Sequence, residues 1–145
     1  MATIEGYNLP DELAYHKEHS WAKKEGDKIK VGMTEFFTKN AGDIVYVDLP
    51  FEGDDVSQDE TCGKVQSSKW IGKLISPVSG EITEVNQELE NDSTLINKDP
   101  YGEGWIMIIE PSNADEELGN LLSKPEDVDA WIKEEMKRAE DEKKK

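Results

Sequence analysis

The middle of the chain consists of short runs in which apolar and polar residues alternate, separated by Gly and Pro. The runs cover residues 28–31, 44–49, 64–67, 74–75, 82–85 and 105–109. Alternation with a period of two turns one face of a strand toward a core, and closely spaced turn residues are typical of folds with many short strands. The pattern predicts a mainly β protein with short helices.

Helical signals occur once between the strands and again after Pro111. Thr34 is a good N-cap for a short helix over residues 34–40 that ends near Gly42. Ser112 is the predicted cap of a second helix, and Pro125 suits the first position of a last helix. The apolar residues of these two helices are Leu118, Leu121, Leu122, Val128, Trp131, Ile132 and Met136. We expect C-terminal helices over about residues 113–137, with the last one docked on the β core, and a charged flexible tail over residues 138–145.

Two segments of the chain resemble each other. Residues 42–47 and 80–85 share the order Gly, acid, Ile, any, any, Val, at an offset of 38 residues. Each copy is followed by a polar stretch that leads toward another strand. The repeat predicts two halves of a quasi-symmetric sandwich, with a hairpin joining them.

Composition limits the function. The chain has 145 residues, of which 17 are Lys or Arg and 33 are Asp or Glu, for a net charge of −16. This length fits one domain, predicted over residues 1–137, and leaves no room for a two-domain enzyme. The strong negative charge argues against nucleic acid and membrane surfaces as partners. With no basic leader, no apolar run of membrane-spanning length and one cysteine, Cys62, we expect a cytoplasmic protein without disulfides.

Residues suited to catalysis are scarce. His16 and His19 are three residues apart without evident further ligands, so a surface or strand-edge role is preferred over a metal site, and no metal is expected. Cys62 has no neighbouring His and is interpreted as a small buried residue rather than a reactive thiol. The many carboxylates show no spacing that singles out an acid and base pair.

The most informative segment runs from residue 63 to residue 80. A strand enters through Val65, a polar turn follows, and an apolar strand leaves through Leu74 toward a Pro-x-x-Gly turn at residues 77–80. This arrangement predicts a hairpin with Lys69 exposed at its tip.

Several motifs resemble those of the glycine-cleavage H-protein family of lipoyl carriers. They include Glu18-His19-Ser20-Trp21, Val31-Gly32-Met33-Thr34, the run 42–50, Ser76-Pro77-Val78-Ser79-Gly80, Asn86, Leu89, Leu95-Ile96-Asn97 and Pro100-Tyr101-Gly102-Glu103-Gly104-Trp105. The resemblance implies a lipoyl-domain-like barrel-sandwich hybrid with C-terminal helices. It also implies a carrier rather than an enzyme, with lipoate joined as an amide to Lys69. The disulfide of the lipoyl arm, and not the protein, would do the reacting.

The residues flanking the arm depart from the family. H-proteins typically show Glu-Ser-Val-Lys-Ala, whereas this chain has Gln66-Ser67-Ser68-Lys69-Trp70, with Lys73 where an aspartate is usual. A biotin carrier would instead show Met-Lys-Met. The residues that partners would read are Gln66, Ser67, Ser68 and Trp70.

The altered flank leaves three hypotheses open. It favours a sulfur carrier that works with a heterodisulfide-reductase-like complex, because changed charges beside the arm suit different partners. The alternative is the carrier of glycine cleavage, which moves an aminomethyl group between the cleavage enzymes and is reoxidised by dihydrolipoamide dehydrogenase. Both carriers need a lipoate-attaching enzyme. The third hypothesis is an unmodified domain that acts only as a binding module.

Overall fold

Eleven strands and five helices form the part of the chain that the computed structural model describes, namely residues 2–4, 7–9, 13–67 and 71–143. The strands are β1 (Ala2–Ile4), β2 (Tyr7–Leu9), β3 (Ala14–Tyr15), β4 (Ser20–Glu25), β5 (Lys28–Met33), β6 (Ile44–Asp48), β7 (Asp55–Val56), β8 (Thr61–Ser67), β9 (Ile71–Ile75), β10 (Gly80–Val85) and β11 (Met107–Pro111). The helices are α1 (Glu35–Ala41), α2 (Glu88–Asn91), α3 (Leu95–Lys98), α4 (Ala114–Gly119) and α5 (Pro125–Lys143).

The strands form two main antiparallel sheets and a small sheet of β1 and β2. The larger sheet has the order β3-β4-β5-β11-β10-β7, and the smaller one has the order β6-β8-β9. Inward residues of both sheets, such as Val31 and Val65, share one buried core, as in a sandwich. The predicted mainly β fold is confirmed. No described helix is long and apolar enough to cross a membrane.

The two copies of the repeated motif lie in different sheets. Ile44 lies in β6 of the smaller sheet and Ile82 in β10 of the larger one, and both side chains are fully buried. In each copy the register shifts at the next residue, which is Val45 in β6 and Thr83 in β10. Both copies therefore depart from regular pairing at the same position of the motif. This match supports the predicted quasi-symmetry, and β8 and β9 form the hairpin between the copies.

Helix α1 begins where the sequence predicts. The Thr34 hydroxyl oxygen accepts a hydrogen bond of 3.2 Å from the Phe37 amide. At the other end the Gly42 amide donates to the Thr38 carbonyl, and Gly42 has a φ of +83°, which glycine adopts without a side-chain clash. The predicted helix and both of its caps are therefore confirmed.

Helix α4 differs from its prediction. It begins after Asn113 rather than after Ser112, because the Ser112 amide donates to the Ser79 carbonyl and so continues the pairing of β11 with β10. The helix ends at residue 119. Leu122 therefore lies beyond it, where it forms an isolated antiparallel bridge with Tyr15.

Helix α5 is longer than predicted. It continues to residue 143, so the expected domain end at residue 137 and the expected tail from residue 138 fall inside a helix. Residues 138–143 contain neither Gly nor Pro, and most of them have high helix propensity. The residues of α5 that are buried are Val128, Trp131 and Ile132, as the periodicity predicts. They pack in a second cluster with Leu9, Leu13, Tyr15, Trp21 and Phe36, separate from the core between the sheets.

We expect Trp131→Ala to lower the free energy of unfolding by about 3 to 5 kcal/mol, because it removes a large buried aromatic side chain. Glu134→Ala, on the exposed side of the same helix, is the matched control and should change it by less than about 0.5 kcal/mol. Chemical denaturation measures both variants. Equal midpoints for wild type and Trp131→Ala would show that docking of α5 contributes nothing to stability.

Candidate functional site

The hairpin of β8 and β9 contains the candidate arm segment. Its strands pair in register, with Lys64 opposite Lys73 and Gln66 opposite Ile71. The predicted site residues that lie outside the described part of the chain are Ser68, Lys69 and Trp70. The structure therefore describes the strands on both sides of this segment, and the role of Lys69 as the attachment site stays a sequence prediction.

Successive residues of the hairpin strands face alternately toward the core and toward solvent. Val65 is fully buried and Ser67 is 4% exposed, whereas Gln66 is exposed and Ile71 is 61% exposed. Ser67, one of the predicted recognition residues, therefore faces inward, and this position keeps its side chain from solvent. The alternation of β8 predicts the burial of Ser67, because Ser67 lies two residues after the inward-facing Val65.

A cleft of about 320 Å³ lies beside the start of β9. It is lined by Glu18, His19, Phe36, Phe37, Asn40, Ile71, Gly72, Lys73, Glu135 and Arg138. Helix α1, helix α5 and the hairpin therefore meet at one place. The aromatic rings offer apolar surface and the rim offers charges of both signs, which suits an aliphatic chain with a polar end.

His19 joins the walls of this cleft. Its ring stacks between Phe36, with centroids 5.0 Å apart, and Trp131, with centroids 4.7 Å apart. Its Nε2 lies 2.7 Å from Glu135 Oε1, and its Nδ1 lies 3.2 Å from Thr34 Oγ1. Because Thr34 Oγ1 accepts from the helix amide, its hydroxyl proton is available to Nδ1, and Nε2–H then donates to the carboxylate. One side chain thus connects β4, α1 and α5.

The two histidines lie between the edge strand β3 and β4, as the strand-edge interpretation expects, but neither is a surface residue. His16 is only 5% exposed, and its Nε2 lies 2.6 Å from Asp59 Oδ1. His19 is enclosed by rings that lie 17 and 112 residues away in the sequence, so no local pattern could have revealed it. Within the described residues no group of three His, Cys, Asp or Glu side chains could hold a metal ion.

The pKa of Glu135 lies below its ordinary value. Burial on its own would raise it, but the hydrogen bond with His19 and the Arg138 guanidinium, 2.7 Å away, outweigh that effect. The carboxylate is therefore held ionised at the wall of the cleft.

Cys62 is a poor nucleophile. Burial, reinforced by the charge of Glu60, raises the pKa of its thiol to about 12. The thiol donates to the Leu74 carbonyl, 3.4 Å away. The interpretation of Cys62 as a small residue rather than a reactive thiol agrees with this environment.

A family profile described as Glycine cleavage H-protein matches residues 13–135, which include both main sheets and the start of α5. This chain belongs to the glycine-cleavage H-protein family. H-proteins are lipoyl carriers rather than catalysts, and they hold lipoate covalently on a lysine. The resemblance in the motifs is thereby confirmed.

Individual H-proteins match most of the chain. The glycine cleavage system H protein of Halalkalibacterium halodurans is 47% identical over 119 residues, which are 82% of this chain and 92% of the relative. That of Carboxydothermus hydrogenoformans is 43% identical over 127 residues, which are 88% of this chain and 96% of the relative. The crystal structure of an H protein from Mycobacterium marinum superposes with a TM-score of 0.69 at 36% identity, covering 77% of this chain and 98% of that one.

We expect Glu135→Gln to reduce stability by about 1 kcal/mol at neutral pH, because a neutral amide makes weaker hydrogen bonds than a carboxylate. Since the folded pKa of Glu135 lies below 4.5, its contribution is present above that pH and is lost as the pH falls through the folded value. The deficit of the variant should therefore disappear in acid. Denaturation from about pH 7 down to about pH 3 measures it, with exposed Glu134→Gln as the control. A deficit that is independent of pH would contradict the ionised pair.

We expect native Cys62 to react about a thousandfold more slowly with a thiol reagent at mildly alkaline pH than the same residue in the unfolded chain, because its pKa of about 12 leaves little thiolate. Cys62 is the single cysteine of the chain, so all labelling reports on it. Labelling rates with and without denaturant test this expectation. Equal rates would show that the thiol is accessible.

Proposed function

We propose that the chain is the lipoyl carrier of a glycine cleavage system. It receives an aminomethyl group from a pyridoxal-phosphate-dependent decarboxylase, delivers it to a folate-dependent transferase and is reoxidised by dihydrolipoamide dehydrogenase. The observation that carries the proposal is the sustained similarity to proteins named glycine cleavage system H protein, which covers more than four fifths of the chain.

Lys69 is the proposed attachment site. It lies in sequence between Gln66 and Ile71, the outward-facing partners that end the described pairing of the hairpin. The other two lysines of the hairpin, Lys64 and Lys73, are held within β8 and β9. An arm fixed between two paired strands keeps its origin in place while the arm itself moves.

The chain contributes position and shelter, and lipoate supplies a disulfide that accepts and releases the carried group. The cleft lies beside the start of β9, where Phe36, Phe37 and Ile71 offer apolar surface to an aliphatic arm. The inert Cys62 thiol does not compete in exchange with the disulfide of the arm.

The sulfur-oxidation hypothesis has weaker support. It rests on four residues near the arm, which are Gln66, Ser68, Trp70 and Lys73. The relatives support the glycine-cleavage alternative instead, because they are named glycine cleavage system H protein and match at least four fifths of the chain. A changed flank alters the recognition of a partner without changing the scaffold.

The test uses the full chain treated with lipoate and a lipoate-attaching ligase, and compares Lys69→Arg with Lys64→Arg and Lys73→Arg. We expect peptide mass spectrometry to find lipoate at Lys69, with modification lost only in Lys69→Arg. The lipoylated wild type should support exchange of bicarbonate carbon into glycine by the decarboxylase of Halalkalibacterium halodurans. Lys69→Arg should lose at least about a hundredfold of that activity, because no arm remains.

Each other outcome has its own meaning. Modification at Lys64 or Lys73 would refute the attachment site. A lipoylated chain that fails in glycine exchange but accepts sulfur with a heterodisulfide-reductase-like complex would establish the sulfur pathway. A chain whose intact mass never changes would be a binding module.

A further inference from the structure

The exposed apolar side chains are concentrated on one sheet. In the described part of the chain, the large apolar residues that are mostly exposed are Val45, Tyr46, Phe51 and Ile71. Three of them lie in β6 and β9, and Phe51 lies in the loop after β6. The larger sheet and the helices present none among the described residues. Exposed apolar groups gathered in one place are typical of an interaction surface.

The register of the smaller sheet arranges its outward face in two rows. Tyr46 pairs with Gln66, and Gln66 pairs with Ile71, which makes a partly apolar row next to the arm segment. Behind it, Asp48 pairs with Lys64, and Lys64 pairs with Lys73. Since adjacent strands lie about 4.8 Å apart, each row spans about 10 Å.

The two lysines in the second row face each other. Like charges directly opposite each other on neighbouring strands are unfavourable. No ion pair of Lys64 or Lys73 is present among the described residues. The opposed pair Lys23 and Lys30 of the larger sheet differs, because Lys30 is 3.2 Å from Glu25. Asp48 lies opposite Lys64 in the same row, so this row keeps one net positive charge on a chain of charge −16.

The other side of the face is negative. A cleft of about 640 Å³ follows the free edge of β6, where Val45, Tyr46 and Phe51 line it together with Asp48, Glu52 and Glu90. Charge therefore changes sign across the face, from the lysine pair on β8 and β9 to carboxylates beside β6. A partner must carry charges complementary to both the lysine pair and these carboxylates, and this requirement fixes its orientation as well as its affinity.

We infer that this outward face of β6, β8 and β9, here called the arm face, is the docking surface for the enzyme that loads the arm. The inference rests on the proposed function and specifies the partner's chemistry. The partner presents an apolar patch against Tyr46 and Ile71, carboxylates against the lysine pair, and basic side chains against the carboxylates beside β6.

The experiment measures the KM and kcat of the glycine decarboxylase of Halalkalibacterium halodurans for the lipoylated carrier. The apolar variants are Tyr46→Ser and Ile71→Ser, and the charge variant is Lys64→Glu with Lys73→Glu. Lys24→Glu with Lys124→Glu is the matched control, since both residues are exposed, lie away from the arm face and change the net charge equally. Intact mass and denaturation midpoints ensure that every variant is fully lipoylated and folded.

We expect each apolar variant to raise KM about tenfold and the charge variant to raise it at least about tenfold, with kcat nearly unchanged, because saturation restores the complex. The KM of the charge variant should also lose most of its dependence on ionic strength, whereas the control keeps the wild-type KM. If the enzyme loads the wild type and the arm-face variants have the same KM as the control, this inference alone is overturned. A lipoylated wild type that the enzyme does not load overturns the proposed function and the inference together.

Discussion

The antiparallel pairing of β8 with β9 is the constraint on which the functional part of the molecule depends. It places Val65 and Leu74 in the core, and it places Gln66 and Ile71 at the surface beside the arm segment. A slip of one residue would exchange the two faces and bury charged side chains. The apolar core therefore enforces the same register that exposes the arm face. Stability and recognition depend on one set of backbone hydrogen bonds.

A second constraint acts through His19. Its ring lies between Phe36 and Trp131, and its two nitrogens reach Thr34 and Glu135. The helix that closes the chain is thereby joined to the helix that borders the hairpin. The shape of the cleft depends on the docking of α5, although α5 contributes nothing to either sheet. Side chains distant in sequence thus form the cleft beside the start of β9.

The parts of the fold predicted from the sequence are those with local causes. Alternation identified the strands from β5 to β11 except the short β7, and the cap at Thr34 located α1. Membership of the H-protein family was predicted from motifs spread over the chain, such as the one that ends at Trp105. Strands β1 to β4 were not predicted. Strands β1 to β3 have two or three residues, too few to show a period, and β4 begins with three consecutive buried residues rather than an alternation.

Other features depend on contacts that no local pattern contains. The burial of His19 requires Trp131, which is far along the chain, and the end of α5 has no Gly or Pro to indicate it. The sulfur-carrier hypothesis depends on a few residues beside Lys69, whereas the family similarity extends over most of the chain. The burial of Ser67, in contrast, was available from alternation alone.

The limited size of the arm face sets how long a partner stays. The arm face consists of two rows of three side chains and one neighbouring cleft, and each row is about 10 Å long. A contact of this size is at the small end of the range for protein interfaces. Contacts of this size release within a short time unless a few residues dominate the binding energy. Successive enzymes must all approach the one hairpin, so they visit it in turn and never together. Rapid dissociation is then a requirement of the carrier, since a tightly held partner would block the next one.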